Sequence, residues 1–293
     1  MRTLKGLLIV NNFIENEKFS GIYGMLSSSA KREGIELSVM KSGEILHTLE
    51  NVKALDCDFV LFWDKDVLLA KTLEYADFRV FNSADAIYYC DNKAYTALLL
   101  QKAGVPTVPT FTAPLTYEGV GYNDKGFLKS ITEKTGYPVV VKELYGSFGR
   151  QVYLAKNEKE LFSLVDSFGS KGFLLQRFVE TSAGRDVRVN VVGSKVVCSM
   201  LRTSVNGDFR SNISNGGKAE RFEVDAETKK TAVAACRALG LDFAGVDVLF
   251  GENGKPLVCE VNSNPHFKSS LDCTGVDMSA EIMRYIREKV EKK

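Results

Sequence analysis

The chain has 293 residues, 45% of them hydrophobic, enough to bury a large core and to divide into two or three units. Thirty-eight Lys and Arg balance 37 Asp and Glu, so a net charge of +1 offers no broad field for nucleic acid or an anionic membrane, and only local anion sites remain open. The six cysteines (Cys57, Cys90, Cys198, Cys236, Cys259, Cys273) form no CxxC pair and read as reduced core thiols, while His47 and His266 lie too far apart in sequence to support a His-rich zinc site.

At the N-terminus the LLIV run is too short for a signal-peptide core and is followed by Asn11-Asn12. Leu4–Val10 therefore reads as a buried strand, and the protein as cytoplasmic. Phe19, Ile22, Tyr23, Leu26 and Ala30 recur at helical spacing, and Gly34 closes that helix. Ile35–Val39, Asp58–Trp63 and Arg79–Phe81 read as strands, with a helix over Val67–Tyr75. This alternation predicts an open α/β sheet for a first unit, 1–84. No G-x-G-x-x-G follows the first strand, so a Rossmann dinucleotide site is disfavoured. The unit is expected to supply one wall of a substrate pocket.

Asp91-Asn92 precede a helix over Lys93–Ala103 that Gly104 ends, and Val105-Pro106 with Val108-Pro109 force an extended connection. Lys93 sits in the helix's first turn, where a cation opposes the dipole, so it needs a partner if buried; a solvated lysine is the alternative. Val139–Val141 then deliver Lys142, and a Gly146-Ser147-Phe148-Gly149 loop leads to a strand over Arg150–Ala155. A strand lysine beside such a loop suits a phosphate, because glycine lets backbone N–H groups approach an anion closely. An ordinary hairpin with a snorkelling lysine is the alternative. Asn157 with Glu160 makes a capping box for a helix to about Phe168.

The strand Gly172–Val179 contains Gln176, Arg177, Phe178 and Val179 and runs into a pliable Glu180–Gly184 segment. That segment can bend around a base, with backbone groups at Arg177–Val179 reading it. Arg185–Val192 and Lys195–Arg202 pair about a Gly193-Ser194 turn. The loop Gly207–Asn212 is dense in donors. Arg202 and Arg210 are candidates to hold a carboxylate or phosphate bidentately. Asp225 caps a helix to Leu239. Val246–Phe250 and Pro256–Val261 flank a Gly251-Glu252-Asn253-Gly254 turn, the pattern of a hairpin. Alternation sends Asp247 and Leu249 to one face, and Glu260 and Asn262 to a common face of the partner strand. Three hard oxygen ligands can then converge, a set that suits Mg²⁺ sharing its shell with phosphates; a strand with polar outward positions is the alternative. An amphipathic helix, Ser279–Lys292, ends the chain.

DNKAYTALLLQKAGVPTVPT, GYPVVVKELYGSFGR, LLQRFVETSAGRDVRVNVVG, GDFRSNISNGG, AGVDVLF and CEVNSNPHFK follow one another in that order from about Tyr89 onward. Together they resemble the ATP-grasp superfamily, and within it the RimK-type α-L-glutamate ligases and the related LysX-type amino-acid ligases. The fold implied is α/β and α+β: an N-terminal open α/β pre-grasp domain, 1–84, followed by a central subdomain, 85–175, and a C-terminal one, 176–293, that clamp ATP between them. The resemblance implies that Lys93 and Lys142 hold ATP phosphates and that Gly146, Ser147, Phe148, Gly149 and Arg150 form the flexible loop over them. It places Gln176, Arg177, Phe178 and Val179 at the adenine hinge, Asp186 against the nucleotide, and Arg210, Ser211 and Asn212 along the nucleotide and acyl-phosphate region. Asp247, Glu260 and Asn262 match the magnesium ligands, with Glu260 bridging two ions; Mn²⁺ is a compatible substitute. Arg177 stands where RimK-type enzymes carry Glu, the loop reads GSFGRQ instead of GSQGxG, and EVNSNPHFK is nearer the LysX side.

The implied reaction has a substrate carboxylate attack the γ-phosphate and an amine displace phosphate from the resulting acyl phosphate. The metals, Lys142 and Arg210 would offset the repulsion between the two anions, and Arg202 would bind the carboxylate or its tetrahedral oxyanion. No enzyme nucleophile is needed, and no nucleophile elbow or Cys–His pattern is present. The partners expected are a small-molecule or peptide carboxylate and an amino-acid amine, with no nucleic acid and no membrane; a homo-oligomer is compatible with the sequence. A phosphotransferase that stops at phosphorylation, or a nucleotide-binding module without turnover, are the alternatives.

Overall fold

The computed structural model describes residues 2–211 and 216–292. Its first unit runs β1 (Leu4–Val10), α1 (Glu17–Arg32), β2 (Ile35–Lys41), α2 (Leu49–Lys53), β3 (Phe59–Trp63), α3 (Val67–Tyr75) and β4 (Val80–Phe81). The strands pair in parallel in the order β2-β1-β3-β4, as the strand–helix alternation requires. Asn16 caps α1 by accepting from the Phe19 N–H at 3.1 Å.

Next come α4 (Ala84–Asp91), α5 (Lys93–Lys102), β5 (Thr110–Thr112), α6 (Gly126–Thr135), β6 (Val139–Glu143), β7 (Val152–Ala155), α7 (Glu158–Phe168) and β8 (Phe173–Arg177). Their strands form an antiparallel sheet in the order β5-β8-β6-β7. The remaining elements are β9 (Arg185–Val192), β10 (Lys195–Thr203), β11 (Lys218–Arg221), α8 (Ala226–Ala238), β12 (Phe243–Phe250), β13 (Pro256–Asn262), α9 (Lys268–Thr274) and α10 (Met278–Glu291), with an antiparallel sheet ordered β11-β10-β9-β12-β13.

Some elements escaped the sequence pattern for physical reasons. Neither α6 nor α9 begins with a capping side chain, so no start signal marks them. The expected strand over Arg150–Ala155 begins only at Val152, because Arg150 and Gln151 complete the glycine turn. β5 is a three-residue edge strand directly after the Pro109 connection.

The N-terminal sheet and the C-terminal helix share one core. Leu8, Ile22, Leu26 and Trp63 pack with Ile282 and Ile286 of α10, and Trp63 stacks on Phe243 of β12 at 5.5 Å between centroids. Asn82, fully buried, accepts from the Asp242 and Phe243 N–H groups and donates to the Phe243 and Ser263 carbonyls. This fixes the first sheet against the β12–β13 hairpin and so defines the cleft between them. No helix among the described residues is long and apolar enough to cross a membrane.

Candidate active site

The β12–β13 register sets Asp247 directly opposite Glu260, and Gly245 opposite Asn262. One residue is inserted on β13 between the Asp247–Glu260 and Val248–Val258 pairs. This bulge turns Cys259 and Glu260 to the same side, which is why both are half-buried between the buried Val258 and Val261. Strict alternation does not foresee Cys259 there. Asn262 Nδ2 lies 3.4 Å from the Gly245 carbonyl. Glu260 makes no hydrogen bond or ion pair among the described residues, leaving its oxygens available.

Asp247 is differently placed. On β9, Asp186 and Arg188 alternate with the buried Val187, Val189 and Val191, and Arg188 lies opposite Asp247 in the β12–β9 register. Arg188 grips both Asp247 oxygens, Nε on Oδ1 and Nη2 on Oδ2 at 3.0 Å. Arg202 of β10 reaches the same carboxylate at 2.9 Å while gripping Asp186 with Nε at 2.7 Å and with Nη2. Burial works against the charge on Asp247, but Arg188 and Arg202 outweigh it and hold its pKa below the usual carboxylate range. Burial likewise opposes the Arg202 charge, and Asp186 with Asp247 overcome it. Arg202 was expected to take a substrate carboxylate. It lines the cavity, but its Nε and Nη2 are already given to Asp186 and Asp247, and Asp186, expected against the nucleotide, is its partner. Sequence reading passed over Arg188, although the Asp186-x-Arg188-x-Asn190 alternation with three valines marks it as facing away from the apolar core.

The side expected to take phosphates is built from two lysines and the glycine loop. Lys93 Nζ donates to the Gly146 carbonyl at 2.9 Å, which supplies the partner its position demands, and burial lowers its pKa. Lys142, 4% exposed, donates to Cys259 Sγ at 3.3 Å. Burial disfavours its charge, yet Cys259 and Glu260 raise its pKa. With Gln176 it lines a narrow cleft behind Glu260 that also touches Lys93. Gly146 sits at φ +139°, and a Cβ there would fall 2.3 Å from Gln151 Oε1, so the turn demands glycine. Ser147 Oγ lies 3.5 Å from Lys65 Nζ, and Lys18 Nζ stands 4.3 Å over the Phe148 ring. The loop therefore meets the N-terminal unit across the cleft.

Arg210 was expected on the cavity wall. Its Nη1 instead donates to the Gly149 and Val152 carbonyls at 2.8 and 3.3 Å, and Asp208 holds its other nitrogens. It buttresses the loop from outside. Ser211 is buried, and Asn212 lies outside the described residues. Arg150 and the Arg177 side chain face solvent. The Arg177 N–H is already given to the Pro109 carbonyl, while the Val179 carbonyl accepts from the Ser182 N–H and keeps a second lone pair. Phe178 packs against Phe209 at 6.3 Å, and Gln176 Nε2 donates to Thr110 Oγ1 at 2.9 Å.

These walls enclose a cavity of about 540 Å³ between the first unit and the β12–β13 hairpin. Lys93, Gly146–Phe148, Arg188, Arg202, Asp247 and Glu260 line it, together with Lys18, Asp64, Lys65 and His266, to none of which the sequence assigned a role. Burial and Lys18 push the His266 pKa down to about 4, so its ring is neutral near pH 7. The oxygen donors of Asp247, Glu260 and Asn262 fit a hard divalent cation, and the available carboxylate of Glu260 fits it best.

A sequence profile of the RimK-like ATP-grasp domain matches residues 90–286. The chain belongs to the RimK-like ATP-grasp family. An uncharacterized Mycoplasma pneumoniae protein is 34% identical over 266 residues, 89% of this chain and 92% of its own length. The β-citrylglutamate synthase B of Danio rerio is 35% identical over 224 residues, 76% of this chain but only 54% of that longer protein. The solved RimK domain ATP-grasp protein of Sphaerobacter thermophilus is similar with a TM-score of 0.74 at 20% identity, over 96% of this chain and 98% of that one, a likeness of fold alone. The ATP-grasp fold expected from the sequence is thus borne out. As a RimK-like ATP-grasp protein the chain is an ADP-forming, ATP-dependent carboxylate–amine ligase, and this family uses Mg²⁺.

Proposed function

We propose that this RimK-like ligase activates a carboxylate as an acyl phosphate and passes the acyl group to an amino-acid amine, glutamate being the amine that the β-citrylglutamate synthase name suggests. The observation that carries the reading is the facing of Asp247 and Glu260 in the wall of a cavity that Lys93 and the glycine loop also line. Units 85–175 and 176–293 would clamp the nucleotide, and 1–84 would supply the wall facing the carboxylate. All six cysteines are free, in keeping with a reducing, cytoplasmic setting.

Asp247, Glu260 and Asn262 would hold Mg²⁺, with Glu260 shared if two ions bind. Bound there, the metal would neutralise phosphate oxygens and draw charge from the transferring phosphoryl group. Lys93 and Lys142 place positive charge where terminal phosphates must sit, and the low-dielectric cleft strengthens both. The glycine loop, latched by Lys93 and buttressed by Arg210, covers the phosphates and keeps water from the acyl phosphate. Arg202 acts indirectly, by fixing Asp186 and Asp247. Gln176, Phe178 and Val179 border the adenine position.

The test is coupled ADP release across pooled carboxylates and amino acids, followed by mass spectrometry. ADP release that requires both a carboxylate and an amine, with an amide product, supports the ligase reading. ADP release with the carboxylate alone, giving a stable phosphorylated product, contradicts it.

A further inference from the structure

Both oxygens of Asp247 are taken by guanidinium groups, a poor state for a residue that is to give lone pairs to a metal. A metal ion taking Asp247 would bring further positive charge against both guanidinium groups, and the less anchored of the two is the one to give way. Arg202 keeps its double contact with Asp186 if it lets go, so it has an anchor of its own. Arg188 has no such anchor: among the described residues its hydrogen bonds go to Asp247 alone, and it lines the cavity. Its side chain lies along Gly245, where a Cβ would come within 3.0 Å of Arg188 Cδ and Nη1. The strand thus leaves a bare track for it between Asp247 and the cavity.

We propose that Arg188 is a displaceable counter-ion. It holds Asp247 before the metal arrives, and on binding of Mg²⁺ and nucleotide it exchanges Asp247 for an anion in the cavity, the carboxylate to be activated. This rests on Asp247 being a metal ligand. A guanidinium released into a half-enclosed cavity is costly unless an anion takes it. Metal and carboxylate therefore reinforce each other's binding, and by linkage the coupling is reciprocal. The neighbouring His266 is neutral and does not compete for that anion.

The side-chain Nε–H resonance of Arg188 in the wild-type protein reads the exchange directly by ¹⁵N NMR, with Arg188→Gln or Arg188→Lys identifying the signal. Saturating Mg²⁺ with ADP should shift it, and ADP with a chelator should not. In calorimetry with ADP present, Arg188→Gln should bind Mg²⁺ roughly tenfold more tightly than wild type, because a competing cation is gone. Inorganic phosphate, used as the probe anion, should tighten Mg²⁺ binding in wild type and not in the variant. A merely structural Arg188 would instead leave Asp247 misplaced and weaken the metal. An unmoved Arg188 resonance, or Mg²⁺ affinity equal to or below wild type in Arg188→Gln, overturns the proposal; if the variants fail to fold, the wild-type arginine spectrum with and without Mg²⁺ decides. Asp247→Asn separates the two levels. Unchanged Mg²⁺ affinity in that variant removes the metal assignment itself, whereas weakened affinity beside a static Arg188 signal removes only the exchange.

Discussion

Glu260 stands opposite Asp247 across the β12–β13 hairpin, one residue from the bulge that brings Cys259 within 3.3 Å of Lys142 Nζ. The two carboxylates are in unequal states, Asp247 clamped by two arginines and Glu260 without a protein partner among the described residues. Glu260 is therefore the group most ready to receive a metal. Glu260→Ala should lose Mg²⁺-dependent turnover by orders of magnitude and keep its melting temperature, since the side chain adds little to the core. Near wild-type rates in a folded variant would remove the metal assignment.

Lys142 is buried, and among the described residues its Nζ has Cys259 Sγ as its one hydrogen-bond partner. Replacing it by Met removes the charge and keeps most of the volume. ATP affinity measured by calorimetry should weaken by about 1.5–3 kcal/mol, the scale of a hydrogen bond to a charged group. Unchanged affinity would make Lys142 a structural neighbour of Glu260 only.

Much of this was readable in the sequence, and the failures have definite causes. The placing of Lys93, Lys142, the glycine loop and the Asp247–Glu260 pair follows from local signals: a helix cap, a strand end, a turn and period-two alternation. The fate of Arg202 and Arg210 does not. Arg202 meets Asp186 because β9 and β10 pair at that register, and Arg210 meets Gly149 across 61 residues of chain. Whether an arginine is free or already paired is a property of tertiary packing. The wall made by Lys18, Lys65 and His266 was hidden for the same reason, since it forms only when the first unit docks on the β12–β13 hairpin.

The Arg202–Asp186 pair offers a stability test. Arg202→Met strands the buried Asp186 carboxylate, and should cost about 3–5 kcal/mol in denaturant unfolding. The double variant Arg202→Met with Asp186→Leu should recover much of that loss, because no lone charge remains buried. Additive losses in the double variant would mean that the pair is not a unit.

His266 gives the protein a pH signature. Its folded pKa is pushed to about 4, by burial first and by Lys18 next, while an unfolded imidazole protonates near 6.5. The unfolded chain thus takes up a proton first as pH falls, and stability drains between pH 6.5 and about 4. His266→Gln should flatten that part of the profile. A profile unchanged by the substitution would show that the ring protonates freely in the folded state.

The most direct test of the account is the fate of the carboxylate oxygen. If the carboxylate is activated as an acyl phosphate, one of its oxygens leaves with phosphate when the amine attacks, whatever the two substrates are. With an ¹⁸O-labelled carboxylate, mass spectrometry should find label in inorganic phosphate, alongside unlabelled ADP. Label in AMP, with release of pyrophosphate, would mean adenylation and would contradict the proposed chemistry even though the fold is ATP-grasp.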